Sequence, residues 1–215
     1  KNNIKIAFRV LWRDKFNSAI NLLGLTLGIT CFLLLGLYVK QEVTYDHYHS
    51  KKDRIYRSWV KENYGDGREF FNSHTPLLFE SLFEENFPEI ERAVQYIEND
   101  FLVGRNEKRI DEIIALISPD FLEVFDIPLI YGDRSTFLPS REHIAISKRY
   151  AEKYFGQENP MGKTIAVEID TLIHDLTVSA VFEDFPVESS IRFDMAISAE
   201  NGRRIYPDRL YTAWF

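Results

Sequence analysis

One stretch of the chain, residues 19–39, limits the possible folds more than any other feature. It reads AINLLGLTLGITCFLLLGLYV, 21 residues without a charge, of which twelve are Leu, Ile, Phe or Val. At about 1.5 Å rise per residue, a helix of this length covers about 32 Å, which matches the hydrocarbon core of a bilayer. A buried helix of a water-soluble protein seldom runs this long without a polar face. The stretch therefore predicts a transmembrane helix over residues 19–40.

The same stretch differs from a cleaved secretory signal. A signal peptide has an apolar region of about 7 to 15 residues that ends in a small-x-small cleavage site. Here the apolar run is longer and ends in Leu37, Tyr38, Val39 and Lys40, which do not form a small-x-small site. We therefore interpret it as an uncleaved membrane anchor.

The charges on the two sides of the anchor predict its orientation. Five basic side chains precede it: Lys1, Lys5, Arg9, Arg13 and Lys15. The other flank becomes acidic at Glu42 and Asp46. By the positive-inside rule, residues 1–18 are cytoplasmic and the chain is extracytoplasmic after about residue 44.

Residues 1–18 also have an amphipathic pattern. Apolar residues recur at spacings of three and four: Ile4, Ala7, Phe8, Leu11 and Trp12. Such a pattern, with basic residues opposite, is typical of a short helix that lies in the headgroup plane. We expect this segment to rest on the inner leaflet.

Small residues occur at regular spacing within the anchor. Gly24 and Gly28 form a G-x-x-x-G pattern, and Thr30 and Cys31 keep the next turn small. Such a face lets a second transmembrane helix approach closely. The alternative is that glycine is simply common in membrane helices. We predict a helix-packing role for Gly24 and Gly28, with the partner unidentified.

Charge and cysteine content exclude two classes of function for the rest of the chain. The formal net charge of the chain is −7. Residues 1–40 carry +5, so residues 41–215 carry −12. Nucleic-acid binding depends on clustered Lys and Arg, and a domain this acidic repels phosphate. Cys31 is the single cysteine, which excludes an intramolecular disulfide framework and a Cys-rich zinc site.

Residues 41–215 show interleaved strand and helix patterns without a regular βαβ repeat, which predicts an α+β fold with a mixed or mostly antiparallel sheet. Strands are predicted near residues 54–61, 68–72, 93–97, 112–117, 143–146, 164–169, 176–182 and 191–197, with a hairpin tip at Gly65-Asp66-Gly67. Helices are predicted from Pro76, from Ser118-Pro119-Asp120, and over Ser147–Phe155 with Gly156 as the cap.

No constellation for catalysis, metal or cofactor binding is predicted. The segment from Gly156 to Gly162-Lys163-Thr164 ends like a phosphate-binding loop, but it has five residues between its glycines instead of four. Its predicted order is helix, turn, strand, whereas a phosphate loop runs from a strand into a helix. His47 and His49 lie two residues apart with no third ligand evident, so surface or packing roles are predicted for them.

Several blocks of residues, in order along the chain, resemble one known family. They are residues 20–28, Glu42–His49 with Asp53–Arg57, Phe121–Leu129 with Gly132-Asp133, Ile146-Ser147 with Lys153–Gly156 and Pro160–Thr164, and Phe182–Pro186 with Ile191–Asp194. Together they resemble MacB/FtsX-type ABC transporter permeases, including the MacB-like periplasmic core domain. The match covers nearly the whole chain.

The resemblance implies a permease of the bacterial cytoplasmic membrane with four transmembrane helices, assembled as a homodimer or heterodimer. It also implies an extracytoplasmic domain that moves when a cytoplasmic ATPase hydrolyses ATP, either for export or for mechanotransmission. In MacB itself the nucleotide-binding domain precedes the first helix. Here only 18 residues do, so the resemblance implies a separate ATPase chain. The last residues, Tyr211–Phe215, resemble mid-domain sequence, and we expect the chain to be a piece of a longer protein.

Two other classes of protein share the anchor and the acidic outer domain. A membrane-tethered sensor or ligand-binding domain needs a cytoplasmic output module after another span. An anchored extracytoplasmic enzyme needs a cluster of acid, base or nucleophile, which we do not find. The sequence therefore favours the permease, with the sensor as the alternative.

Overall fold

The computed structural model describes residues 2–63, 65, 67–105 and 108–205 of the chain. The predicted hairpin-tip residue Asp66 and the terminal residues Tyr211–Phe215 lie outside this part, as do the side chains of Ile4, Ala7 and Phe8 in the predicted amphipathic pattern. The chain forms two compact units, which divide between Tyr45 and Asp46.

The N-terminal unit consists of two helices, α1 (Asn2–Arg13) and α2 (Lys15–Val43). Within the described residues, α2 is the one helix long and apolar enough to cross a membrane, and none of its side chains is buried. The hydroxyls of Thr26 and Thr30 donate to the carbonyls four residues earlier, at 2.7 and 2.8 Å. The two threonines therefore bring no unsatisfied hydroxyl into an apolar environment.

The second unit begins at Asp46, and we call it the outer unit. It contains nine strands and four α-helices within its described residues. The strands are β1 (Val60–Asn63), β2 (Glu69–Asn72), β3 (Tyr96–Arg105), β4 (Lys108–Ile117), β5 (Leu129–Tyr131), β6 (His143–Ser147), β7 (Thr164–Ile169), β8 (Leu172–Phe182) and β9 (Met195–Ser198). The helices are α3 (Phe79–Asn86), α4 (Phe121–Val124), α5 (Lys148–Phe155) and α6 (Glu200–Ile205).

Seven of these strands form one mixed sheet in the order β5-β8-β6-β9-β4-β3-β7. The pairs β4–β9 and β6–β8 are parallel, and the other pairs are antiparallel. The long strand β8 pairs with β7 through its first half and with β6 through its second half. This double pairing links β7 back to β8, so that six strands form a closed ring of pairings, with β5 paired to β8 outside it. Strands β1 and β2 form a separate hairpin. The predicted α+β class with a mixed sheet is confirmed.

Both faces of the sheet are covered, because alternate residues of its strands enter two different apolar clusters. On β4, Ile114 and Leu116 belong to one cluster, which also receives Phe155 of α5. Ala115 and Ile117 belong to the other, which is rich in phenylalanine. Since successive side chains of a strand point to opposite faces, a strand buried on both faces reads as a continuous apolar run. Residues 114–117, which are all fully buried, read IALI for this reason.

A carboxylate lies buried at the edge of the first cluster. Glu112 on β4 accepts hydrogen bonds from the hydroxyls of Tyr150 at 2.6 Å and Tyr154 at 3.1 Å, and it forms an ion pair with Lys153. Burial alone raises the pKa of this carboxyl, but the three donors outweigh it and lower the pKa below its usual value. The group therefore ties β4 to α5 as a charged, fully bonded residue.

The predictions for β6, α4, α5 and β7 are confirmed, including Ser147 as N-cap and Gly156 as C-cap of α5. Strand β4, predicted over residues 112–117, begins four residues earlier, at Lys108, because it pairs with β3 over ten residues. The strand predicted over residues 54–61 is wrong for most of its length. Within that range only Val60 and Lys61 belong to a strand, β1. Its partner strand β2 ends at Asn72, opposite Val60, so the residues before Val60 have no strand to pair with. Residues Lys52–Arg54 instead form a turn of 3-10 helix.

Four other elements also differ from the sequence prediction in their bounds. The helix predicted from Pro76 begins at Phe79, after a turn. The strand predicted near residues 93–97 begins only at Tyr96, and β3 continues to Arg105 because it pairs with β4 over ten residues. Strand β8 begins four residues earlier than predicted because it pairs with β7. Strand β9 begins at Met195, where its pairing with β6 begins.

Candidate functional site

The first residues of the outer unit follow the C-terminus of α2 directly. Helix α2 ends at Val43, and Thr44 caps it by donating its hydroxyl to the carbonyl of Lys40 at 2.8 Å. Asp46 then adopts a left-handed conformation with φ of 57°. Asp tolerates this conformation better than most residues, and it turns the chain sharply out of the helical path. The outer unit begins at this residue.

Asp46 is bound at both its backbone and its side chain to the loop between β8 and β9. Its N–H donates to the carbonyl of Glu188 at 2.9 Å. Its carboxylate accepts the N–H of Ser190 at 2.8 Å. Two bonds to residues only two apart fix the direction of the chain at this point.

Tyr48 makes a third contact with the same loop. Its hydroxyl lies 2.6 Å from the Oγ of the buried Ser189. Since Ser189 donates its own proton to the carbonyl of Ile191 at 2.5 Å, Tyr48 is the donor to Ser189. Burial raises the pKa of Tyr48, so this hydroxyl keeps its proton.

His49 is buried to 3% exposure and connects the segment to a second loop. Its Nδ1 accepts the backbone N–H of Asp126 at 3.1 Å. The ring contacts Tyr48 at a centroid distance of 3.9 Å and meets the edge of Phe125 at 5.2 Å. The Asp126 carboxylate in turn accepts the N–H of Ser50 at 2.5 Å. The chain is thus held from both sides at consecutive residues.

We call this group the junction cluster. It consists of Asp46, Tyr48, His49 and Ser50 together with Asp126 and residues 188–190. Burial lowers the pKa of His49, although the carboxylates of Asp46 and Asp126 oppose the shift. The hydrogen bonds from Ser50 lower the pKa of Asp126. The cluster therefore joins residues 46–50 to two loops of the sheet through several hydrogen bonds and the ring contacts of His49 with Tyr48 and Phe125.

Sequence reasoning anticipated only part of this cluster. Surface or packing roles were predicted for both histidines: His49 is buried and packs against Tyr48 and Phe125, and His47 is exposed. Asp126 and Ser189 were not predicted as partners, because they lie 77 and 141 positions away from the residues that they contact. The blocks that carry the family resemblance contain Asp46–His49 and Asp126, and this was the available signal.

The predicted helix-packing residues lie on one shallow groove of α2. The groove is lined by Ile20, Asn21, Gly24, Leu25, Gly28, Ile29 and Phe32. A Cβ atom added at Gly24 or Gly28 meets nothing within 4 Å in this single chain. Space for a second helix is therefore available at both glycines, and their packing role stays a prediction.

The segment that resembles a phosphate loop has a different structure. Gly156 is the C-cap of α5, Gly162 has a φ of 74° in a turn, and β7 begins at Thr164. The ammonium of Lys163 pairs with Glu158. The order helix, turn, strand is the one that the sequence predicts, and the N-terminus of a helix that would bind phosphate does not follow the glycines here.

A cavity of about 510 Å³ lies beside α4. Asp120, Glu123 and Glu200 line it together with Arg134, whose guanidinium donates to the carbonyl of Leu122. In the described part of the chain, no three His, Cys, Asp or Glu side chains are placed to hold a metal ion. The rest of the lining mixes apolar residues with serines.

Comparison with known proteins adds the following findings. The family model described as "MacB-like periplasmic core domain" matches residues 18–213. No curated protein matches the chain. Among solved structures, a domain of a putative permease protein from Porphyromonas gingivalis is similar, with 24% identity and a TM-score of 0.56. The alignment covers 73% of this chain, which spans 65% of the length of that domain.

Two further structures are similar at lower scores. The extracellular domain of the noncanonic ABC-type transporter YknZ from Gram-positive bacteria has 16% identity and a TM-score of 0.47, covering 63% of this chain and 75% of that one. The periplasmic region of MacB from Actinobacillus actinomycetemcomitans has 14% identity and a TM-score of 0.48, covering 68% of this chain and 65% of that one.

Proposed function

The chain belongs to the family of MacB-like periplasmic core domains of ABC-type permeases, and from this premise we propose that it is part of a permease subunit. In this proposal, ATP hydrolysis by a separate cytoplasmic ATPase moves the outer domain, for export or for mechanotransmission. The chain itself is not an enzyme: it passes on a movement. Its family comprises permease components, which agrees with this role.

The observation that carries the proposal is the junction cluster. Only Thr44 and Tyr45 separate the last residue of α2 from Asp46, where the hydrogen bonds to the outer domain begin. A connection of two residues leaves little slack. The contacts at Asp46, Tyr48 and His49 reach the loop before β9 and the loop after α4, so a displacement of the helix end would reach the sheet at two places.

The proposed orientation places the N-terminus in the cytoplasm and the outer unit outside the bacterial cytoplasmic membrane. The charge difference between the flanks of α2 supports it. An ATPase on the cytoplasmic side would then act on the membrane helices and not on the outer unit. The absence of a strand-to-helix phosphate loop at residues 156–164 supports a separate chain for ATP hydrolysis.

The groove on α2 supports an assembly with other transmembrane helices. Helices in lipid associate by close packing and not by a hydrophobic effect, so glycines that admit a neighbouring backbone favour association. In this proposal Gly24 and Gly28 contact a helix of the same permease or of its homodimeric or heterodimeric partner. The bilayer covers the rest of α2.

The proposal is tested with the full-length protein purified from native membranes. We expect it to contain further transmembrane spans and to co-purify with a separate P-loop ATPase. After reconstitution in lipid, ATP with vanadate should change the distance between spin labels on the outer units of two subunits. A kinase or cyclase module after a second span, without an associated ATPase, would show instead that the protein is a sensor.

A further inference from the structure

The hydrogen bond between His49 and Asp126 exists only while the imidazole is neutral. Nδ1 accepts the Asp126 N–H at 3.1 Å, so Nδ1 bears no proton and Nε2 carries the single ring proton. Protonation of Nδ1 would place two N–H groups against each other. The donor of Asp126 would then lose its partner in a part-buried site, which is costly.

The ring of His49 contacts residues on both sides of the junction cluster. From its own segment it faces Asp46 and Tyr48, and from the loop after α4 it faces Phe125 and Asp126. Arg134 acts on it only indirectly, through the charge of Asp126. His49 is the most deeply buried of residues 46–50, and its ring contacts both Tyr48 and Phe125. A change of its charge therefore affects the contacts on both sides.

We propose that His49 is a proton-sensitive latch, which closes the junction cluster when neutral and opens it when protonated. That an open cluster weakens the transmission of movement rests on the proposed function, but the opening itself does not. Burial disfavours the imidazolium and lowers the pKa of His49, so the latch opens below the usual value of 6.5. Stability from this contact is full above 6.5 and is lost as the pH falls through the lowered pKa.

The test measures amide exchange at individual residues of the whole chain in lipid nanodiscs, between pH 7.5 and 5.0 and corrected for intrinsic rates. In the same samples, ¹⁵N signals of the labelled imidazoles report protonation of His49. Loss of one part-buried hydrogen bond changes a local equilibrium by about tenfold. We therefore expect exchange of the Asp126 and Ser50 amides to rise by about tenfold as His49 becomes protonated.

Two variants separate the latch from general acid effects. In His49→Asn the amide oxygen takes the place of Nδ1 as an acceptor and does not titrate, so exchange at Asp126 should no longer depend on pH. His47→Asn removes the exposed imidazole two residues earlier and should behave as the wild type does. Amides in the sheet core, such as those of Leu116 and Ile144, should remain protected throughout.

The proposal is overturned if His49 remains neutral down to pH 5.0, or if it becomes protonated while exchange at Asp126 is unchanged. The same pH profile in the wild type and in His49→Asn would also overturn it. So would loss of protection at Leu116 and Ile144 in step with Asp126, because acid would then unfold the domain and not open the junction. The ring signals of the wild type decide the question even if His49→Asn fails to fold.

Discussion

The hydroxyl of Tyr48 donates to Ser189 across 2.6 Å, although the two residues are 141 positions apart. This bond joins the segment that follows α2 to the loop between β8 and β9. Few contacts in the outer unit join more distant parts of the chain. This contact and its neighbours at Asp46 and His49 give the most direct tests of the junction.

Tyr48→Phe should lower the free energy of unfolding of the outer unit by about 1 kcal/mol, because it removes one hydrogen bond and leaves the ring in place. Ser189→Ala should cost about 1 to 2 kcal/mol, since it also removes the bond to the Ile191 carbonyl. Urea unfolding followed by near-UV circular dichroism measures both. The matched control is Tyr56→Phe, at a tyrosine that is 86% exposed, which should change nothing. Strictly additive costs in the double variant would contradict a direct contact.

Glu112→Gln should destabilise the outer unit by about 1 to 3 kcal/mol at pH 7, because the amide cannot serve as a charged acceptor for Tyr150, Tyr154 and Lys153 together. The pKa of Glu112 is lowered in the folded state, so its contribution is full above about 4.5 and is lost as the pH falls below that value. The difference between wild type and variant should therefore shrink between pH 5 and 3 in urea titrations. A difference that stays constant over this range would show that Glu112 does not act through its charge.

Gly132→Ala tests the turn after β5. Gly132 has a φ of 88°, and a Cβ there would lie 2.8 Å from the carbonyl oxygen of Ser179. The left-handed conformation alone costs a side chain about 1 to 2 kcal/mol, and the clash adds about 1 to 3 kcal/mol. Gly162→Ala is the control, since its φ is 74° but nothing lies within 4 Å. Thermal unfolding should show the larger loss for Gly132→Ala, and equal losses would mean that the turn can move.

Gly24→Leu and Gly28→Leu should each weaken association of the chain with its partner helix, because the leucine fills the groove that a second backbone needs. The matched control is Gly36→Leu, the same change on the same helix outside the groove. Energy transfer between labelled chains in bilayers, or co-purification of the full-length partner, measures the association. Near-UV circular dichroism of the outer unit should not change. If Gly36→Leu is as damaging as the other two, the groove is not the contact face.

The orientation of the anchor is tested with single cysteines at Arg13 and Glu85 in a Cys31→Ala background. The excess of basic residues before α2 predicts a cytoplasmic N-terminus, and Glu85 is an exposed residue of the outer unit. A membrane-impermeant thiol reagent applied to cells with a permeable outer barrier should label position 85 and leave position 13 unlabelled. The reverse pattern would invert the proposed topology.

Local sequence patterns were sufficient to predict the elements that have a recognisable start residue and a recognisable end residue. For α5, the hydroxyl of Ser147 caps the first turn and Gly156, with a positive φ, ends the last one. Such signals lie within a few residues of each other and act before any tertiary contact forms. The class of the fold and the anchor were predictable for the same reason, since apolar periodicity and length are local properties of the sequence.

The parts that depend on distant partners were not predictable in this way. Residues 55–59 alternate like a strand but have no neighbour to pair with, and alternation alone does not supply hydrogen bonds to the backbone. The junction cluster depends on loops that the sheet brings next to Asp46–Ser50. Neither Asp126 nor Ser189 has a local pattern that marks it, because each is an ordinary loop residue until the strands around it are in place.

The position of β9 has a consequence for how the outer unit is made. Within the described residues this strand is the last one of the sheet in chain order, yet it lies between β6 and β4 and pairs with both. Neither β4 nor β6 has its full set of partners until residue 198 has been synthesised. Such non-local pairings form slowly, and unpaired strands exposed in the meantime are prone to aggregate. We therefore expect the growing chain to depend on chaperones until β9 has been synthesised and has paired with β4 and β6.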